Sequence, residues 1–234
     1  MMKKKIWIIL TCLTAMFLMS ACSSDEQEGS ASAPDENIST TTESENSNIN
    51  SIQPSGNVLV AYFSVPETAG VDAVSRASRV VEDGEVIGNT QFVAQTIQQE
   101  TNGDIFRIET VQEYPGDHDE LVDFGENELA EEARPELSSQ IENLDKYDTI
   151  FLGYPIWAGD LPMPLYTLLE STDFTDKTII PFSTHGGSGF SNTIDILEQL
   201  QPNATIIKDG ITISRDSVPD SRDEIIDWVS NLSL

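Results

Sequence analysis

Short apolar segments rich in β-branched and aromatic residues alternate with amphipathic segments from Asn57 onward. This alternation is typical of a parallel sheet covered by helices on both faces. Three of the apolar segments are nearly continuous hydrophobic runs, as expected for strands that are buried on both faces. The predicted strands are Val58–Phe63, Asp104–Glu109, Thr149–Gly153, Thr178–Phe182 and Thr205–Ile213, the last interrupted at Lys208-Asp209-Gly210.

Helices are predicted between these strands. Thr90 is predicted to cap the first helix, and Gly103 stands where that helix should end. Further helices are predicted over residues 120–133, 163–171, 192–200 and 220–232. An insertion, residues 65–87, follows the first strand, and within it the Asp83-Gly84 pair predicts a small hairpin. We therefore expect one α/β domain over residues 57–234.

The first residues of the chain have the composition of an export signal. Lysines at positions 3–5 precede an apolar run and two small residues, which predicts a signal peptide over residues 1–21. The sequence Leu18-Met19-Ser20-Ala21-Cys22 resembles a bacterial lipobox, in which the cysteine becomes lipid-modified and forms the new N-terminus. Ordinary secretory cleavage beside an incidental cysteine is the alternative interpretation.

Residues 22–56 are rich in Ser, Thr, Asn and acidic residues, and residues 23–56 contain no aromatic or basic residue. Such a segment cannot bury enough apolar surface to fold, so we predict a disordered tether. With a lipid on Cys22, the expected location is the extracytoplasmic face of a cell membrane.

The formal net charge of −28 arises from 40 acidic against 12 basic residues. This balance argues against a nucleic-acid partner and favours a cationic one. No metal site is predicted, because His118 has no second histidine at metal-ligand spacing and is taken as a surface residue.

The segments that follow the first strand have the residue types of a phosphate site. Ligands of open parallel sheets bind at the carboxyl ends of the strands. Ser64 follows the first strand, and Gly88-Asn89-Thr90 opens the first helix, where hydroxyls and free helix N–H groups suit a phosphate. Without lysine or arginine in residues 88–91, a P-loop nucleotide enzyme is disfavoured. A capped helix without any ligand is the alternative.

Two further loops suit a planar ring. The loop after the third strand contains Trp157, whose indole can stack on a flat ligand; a core position under the loop is the alternative. The loop after the fourth strand contains Thr184-His185-Gly186-Gly187, whose glycines let the backbone approach a ligand closely.

These three loops together resemble the flavodoxin superfamily, and particularly its flavodoxin-like bacterial lipoproteins. The resemblance is carried by residues 60–64, 153–157 and 184–187. It implies a doubly wound five-stranded parallel sheet in the order 2-1-3-4-5, with FMN as the cofactor. The cofactor-binding residues that it implies are Ser64, Gly88, Asn89, Thr90, Pro155, Ile156, Trp157, Ala158, Gly159, Thr184, His185, Gly186 and Gly187.

The resemblance leaves three functions open. The first is an extracytoplasmic, lipid-anchored FMN protein that transfers electrons to a redox partner with a basic patch. The second is an NAD(P)H-dependent quinone or flavin reductase that acts on a small quinone-like acceptor. For the reductase, His185 is a candidate catalytic residue that donates to reduced flavin or protonates a quinone oxygen, unless it only bonds its own loop. The third is a binding module of the same fold with no redox function.

Overall fold

The structure is a computed structural model, and it describes residues 57–68 and 78–232. The predicted signal peptide, the predicted tether and the predicted lipidation site Cys22 lie outside the described residues. Within the described ranges, no helix combines the length and the apolar character needed to cross a membrane.

A parallel sheet lies at the centre of the domain. The strands of the described residues are β1 (Val58–Phe63), β2 (Arg79–Glu82), β3 (Glu85–Gly88), β4 (Asp104–Ile108), β5 (Thr149–Pro155), β6 (Thr178–His185), β7 (Thr205–Ile206) and β8 (Ile211–Ser214). The order is β4-β1-β5-β6-β7. β7 pairs with residues 178 and 179 of β6, and β8 pairs with residues 182–185 of the same strand. The predicted order 2-1-3-4-5 is confirmed, since β7 and β8 together occupy the fifth position, on either side of the predicted break.

Helices cover both faces of this sheet. Alternate residues of β1 separate cleanly, with Val58, Val60 and Tyr62 in one core cluster and Leu59, Ala61 and Phe63 in the other. The helices of the described residues are α1 (Asn89–Thr101), α2 (His118–Ala130), α3 (Met163–Ser171), α4 (Thr193–Leu200) and α5 (Arg222–Asn231). The first cluster includes residues of α1 and α5, and the second includes residues of α3 and α4.

The start of α1 differs from the prediction. Gly88 is the N-cap residue, and no side chain caps this helix. The prediction that Thr90 caps the helix is therefore wrong: its hydroxyl lies 2.8 Å from the hydroxyl of Thr184 in β6. The helix also ends earlier than predicted, because Asn102, with φ of 51°, occupies the left-handed C-cap position before Gly103.

Asp117 sets the start of α2 earlier than predicted. Its Oδ1 accepts the amide hydrogens of Asp119 and Glu120 at 3.0 and 3.2 Å, as an N-cap carboxylate does. His118 consequently occupies the first position of the helix.

The hairpin predicted in the insertion is present. Strands β2 and β3 pair in antiparallel fashion across a two-residue turn in which Asp83 and Gly84 have φ values of 50° and 85°. An ion pair between Glu82 and Arg222 fastens the hairpin to α5. The hairpin delivers the chain to the start of α1, beside the end of β1.

Candidate functional site

A cavity of about 140 Å³, partly open to solvent, lies at the carboxyl ends of β1, β5 and β6. The predicted site residues that line it are Asn89, Pro155, Ile156, Trp157, Ala158, Thr184, His185 and Gly186. Ser64, Gly88, Thr90, Gly159 and Gly187 are not among the lining residues. The sequence did not single out the remaining lining residues as site residues: Glu67, Ser78, His118, Leu121, Val122, Gly125, Glu126 and Arg215.

One end of the cavity is the start of α1. The absence of a capping side chain leaves this helix end open to an anion, and the first turn contains no acidic residue. The Asn89 side chain is buried and lines the cavity, and its Oδ1 has no hydrogen-bond partner in the described part of the chain. A buried amide oxygen of this kind needs a partner from outside the described residues, such as a water molecule or a ligand.

Ser64 and Gly88 meet although the insertion separates them in the sequence. A Cβ atom built on Gly88 would overlap Oγ of Ser64. The two ends of the insertion therefore lie next to each other, and the Ser64 hydroxyl lies at the N-cap of α1. The two halves of the predicted phosphate site are thereby next to each other.

Trp157 lies in a tight turn at the end of β5. Its amide donates to the Asp160 carbonyl at 3.1 Å, the Asp160 amide donates back at 2.8 Å, and Ala158 and Gly159 have φ values of 49° and 80°. Positive φ at both central residues is the geometry of a type I′ turn. The Asp160 carboxylate holds this turn by accepting from the Leu161 amide at 2.7 Å.

The indole of Trp157 combines the two uses that the sequence left open. It meets the rings of Phe63 and Tyr114 edge-on, at centroid distances of 5.4 and 5.5 Å, and so belongs partly to the core. It also lines the cavity. Packing on three sides is completed by α2, where a Cβ on Gly125 would lie 3.0 Å from the indole. The ring is held rigidly at the cavity wall.

His185 ends β6 and bonds its own loop, which was one of the two predicted uses. The Gly187 amide donates to His185 Nδ1 at 2.8 Å. Because an amide nitrogen only donates, Nδ1 is unprotonated and the hydrogen of the neutral ring lies on Nε2. Burial lowers the pKa of His185 from its usual 6.5. The ring is thus a neutral hydrogen-bond donor at the cavity.

Arg215, which sequence reasoning missed, follows β8 directly. Its amide donates to the His185 carbonyl at 2.8 Å, and its guanidinium lies beside Gly186, where a Cβ would be 3.4 Å from Cζ. A cation therefore lines the cavity of a strongly acidic protein. The sequence signal was its position just after the fifth strand, at the ligand-binding end of the sheet.

The prediction that His118 is only a surface residue is wrong. Its side chain is 28% exposed, lines the cavity, and places Nδ1 2.7 Å from Oε1 of Glu67. The sequence could not pair these residues, because they lie in different segments that meet only in the fold. Among the described residues, no group of three or more His, Cys, Asp and Glu side chains is arranged to hold a metal ion.

Comparisons with known proteins agree with this architecture. The family model described as Flavodoxin matches residues 80–232. A putative flavoprotein from Bacteroides uniformis ATCC 8492 is 28% identical, with a TM-score of 0.59 over 75% of this chain and 99% of that chain. A putative flavoprotein from Bacteroides eggerthii DSM 20697 is 24% identical, with a TM-score of 0.50 over 72% and 97%. No curated protein matches the chain.

A flavoprotein from Lactobacillus acidophilus NCFM, solved in complex with FMN, is 18% identical, with a TM-score of 0.48 over 72% of this chain and 99% of that chain.

Proposed function

Because the chain belongs to the flavodoxin family, we propose that it binds FMN in the cavity at the carboxyl ends of β1, β5 and β6 and transfers electrons. The observation that carries this proposal is the convergence of an uncapped helix start, a rigid indole and a neutral histidine on one cavity. Family membership supports a flavin as the ligand.

The start of α1 suits the phosphate of FMN. The helix end supplies N–H groups and a favourable dipole for an anion, and the Ser64 hydroxyl lies beside Gly88. Asn89 is buried at the cavity, and a half-turn of its side-chain amide would present Nδ2, a donor, to the phosphate.

The loops after β5 and β6 suit the isoalloxazine. Trp157 supplies a fixed aromatic wall, and the exposed backbone of Gly186 lets a flat ring approach. When bound, FMN supplies the capacity to accept and release electrons. His185 holds a hydrogen on Nε2 with which to bond a ring that gains electron density, and Arg215 adds a positive charge to the same wall.

The negative net charge of the protein supports a basic redox partner. A net charge of −28 steers cationic surfaces toward the protein, and such steering weakens as salt screens it. The test is to reduce the FMN-loaded protein and mix it with a basic c-type cytochrome at increasing ionic strength. We expect fast transfer that slows as salt rises. A rate independent of salt would contradict steering, and no transfer at any salt concentration would contradict the electron-carrier function.

The lipobox-like sequence before Cys22 supports attachment of this domain to a cell membrane on its extracytoplasmic face. Cys22→Ser tests the anchor. The variant should appear in the soluble fraction while the parent protein stays with membranes, and an unchanged distribution would contradict lipidation at this residue.

A second candidate function is reduction of a quinone or flavin at the expense of NAD(P)H. The observation that favours it is the Glu67–His118 pair, a proton-exchanging group beside the predicted ring site. Steady NAD(P)H oxidation that depends on added quinone would support this function. If no electrons are transferred when NAD(P)H is the sole donor, the electron-carrier function is favoured.

A further inference from the structure

A buried carboxylate holds a histidine at the cavity wall. The Glu67 side chain is 4% exposed, and its Oε1 lies 2.7 Å from Nδ1 of His118. Two hydrogen bonds hold the backbone at Glu67 and the next residue in place. Arg79 Nη1 donates to the Glu67 carbonyl at 2.7 Å, and the Thr68 amide donates to the Gly116 carbonyl at 3.0 Å. The pair is therefore positioned by both the insertion and the segment before α2.

This hydrogen bond determines which nitrogen of His118 exchanges protons. A carboxylate oxygen only accepts, so Nδ1 carries a hydrogen, and Nε2 is the nitrogen that takes up and releases a second proton. The exposed part of the ring gives access to water, from which a lost proton is replaced.

His185, the other histidine of the cavity, is bonded in the opposite sense. Its Nδ1 accepts from an amide, and burial favours the neutral ring. It offers a hydrogen bond but no spare proton near neutral pH. The cavity thus contains one histidine arranged for hydrogen-bond donation and one arranged for proton transfer.

The α2 surface beside His118 is apolar over the next turn of the helix. Leu121, Val122 and Gly125 follow His118 along one helical stripe that lines the cavity, and Glu126 is the last lining residue of that stripe. A Cβ on Gly125 would lie 3.0 Å from the indole of Trp157. An acidic group at the end of an apolar wall suits a planar acceptor with a carbonyl oxygen, which describes a quinone.

We propose that His118 is the general acid in the reduction of a quinone-class acceptor in this cavity, with Glu67 as its positioning residue. The inference rests on the FMN binding proposed above. The Nε2–H bond of protonated His118 breaks, and the proton goes to a quinone oxygen as reduced, anionic FMN supplies two electrons and the other proton. The quinone becomes a hydroquinone, FMN is left oxidised, and solvent returns a proton to His118.

His118→Asn tests the acid directly, because the asparagine amide occupies the place of Nδ1 and can still donate to Glu67 but has no proton to transfer. The FMN-loaded protein is reduced and mixed with a soluble benzoquinone or with ferricyanide, which takes electrons without a proton. We expect the ratio of the quinone rate to the ferricyanide rate to fall by about 10²-fold, as general acids contribute. An unchanged ratio would overturn the proposal.

Glu67→Gln and Glu126→Gln form a matched pair, because both remove one carboxylate from the cavity lining and only Glu67 contacts His118. The ratio should fall for Glu67→Gln and hold for Glu126→Gln.

A readout without catalysis is the NMR tautomer of the His118 ring in the FMN-free protein. We expect hydrogen on Nδ1 in the parent protein and in Glu126→Gln, with mixed tautomers in Glu67→Gln. Hydrogen on Nε2 in the parent protein would overturn the proposal. If the parent protein binds no FMN, the proposed function fails as well; if it binds FMN with an unchanged rate ratio, only this inference fails.

Discussion

The hydroxyl of Ser64 occupies the space that a side chain on Gly88 would need. The two residues flank the insertion, so this contact closes the loop between β1 and α1. Gly88 has φ of −73° and ψ of 149°, values that any residue adopts. The requirement for glycine at this position therefore comes from the Ser64 side chain and not from the backbone conformation.

Gly88→Ala should weaken FMN binding by forcing the Ser64 hydroxyl away from the start of α1. We expect an affinity loss of at least about tenfold, equivalent to about 1.4 kcal/mol. The measurement is a fluorescence titration with FMN. Ser64→Gly combined with Gly88→Ala should recover the thermal stability lost by Gly88→Ala, because it removes the overlap. Failure of the double variant to recover stability would show that the overlap is not the cause.

The hydroxyl pair of Thr90 and Thr184, 2.8 Å apart, joins α1 to the end of β6. Replacing one member by valine leaves the other buried hydroxyl without its partner, which should cost about 1–3 kcal/mol of unfolding free energy. Replacing both should cost less than the sum of the single changes, because neither hydroxyl is then stranded. Urea denaturation of the parent protein, the two single variants and the double variant gives the four free energies of unfolding that are compared. Strict additivity would contradict the bond.

Sequence patterns predicted β1 with its observed bounds because this strand is uniformly apolar. Residues 58–63 are all buried, and their composition alone marks a covered strand. The prediction ended β6 too early, at Phe182, because Ser183 and Thr184 are polar. They are nevertheless buried, and their hydroxyls bond those of Thr212 and Thr90. Partners from distant segments satisfy these groups, and such pairs are invisible to local pattern.

The candidate site, like the sheet, could be predicted only in part from the sequence. The loops of Trp157 and His185 could be located because carboxyl ends of parallel strands share one edge of the sheet. Glu67 and His118 could not, since nothing in either segment indicates that the other lies 2.7 Å away. Whether the predicted residues bind FMN stays a prediction.

Glu128 makes stability depend on pH. Its side chain is buried, and burial raises the pKa of this carboxyl above 4.5, although Tyr114 and Gln112 donate hydrogen bonds to it. Folding therefore favours the protonated form, and the contribution of this group is lost as pH rises through its raised pKa. Glu128→Gln should be more stable than the parent protein at neutral pH.

The advantage of Glu128→Gln should shrink as pH falls below 4.5, where the parent carboxyl is protonated in both states. Thermal unfolding from pH 4 to pH 8 provides the comparison. An advantage that stays constant with pH would contradict the raised pKa.

His185 makes stability depend on pH in the direction opposite to Glu128. Since its pKa is lowered from 6.5, folding favours the neutral ring, and its contribution is present above pH 6.5 and lost as pH falls. His185→Asn keeps an acceptor for the Gly187 amide but does not titrate. Parent and variant should therefore diverge in melting temperature below pH 6.5, with the parent losing more. Parallel pH profiles would count against this protonation behaviour.

The most direct test of the central claim is a titration of the purified protein with FMN and, separately, with riboflavin, followed by the loss of flavin fluorescence. We predict saturable binding of one FMN, with riboflavin bound at least about tenfold more weakly because it lacks the phosphate that the start of α1 receives. Absence of saturable FMN binding would contradict the claim and leave a flavodoxin fold with a non-redox function. Equal affinities would contradict the phosphate site.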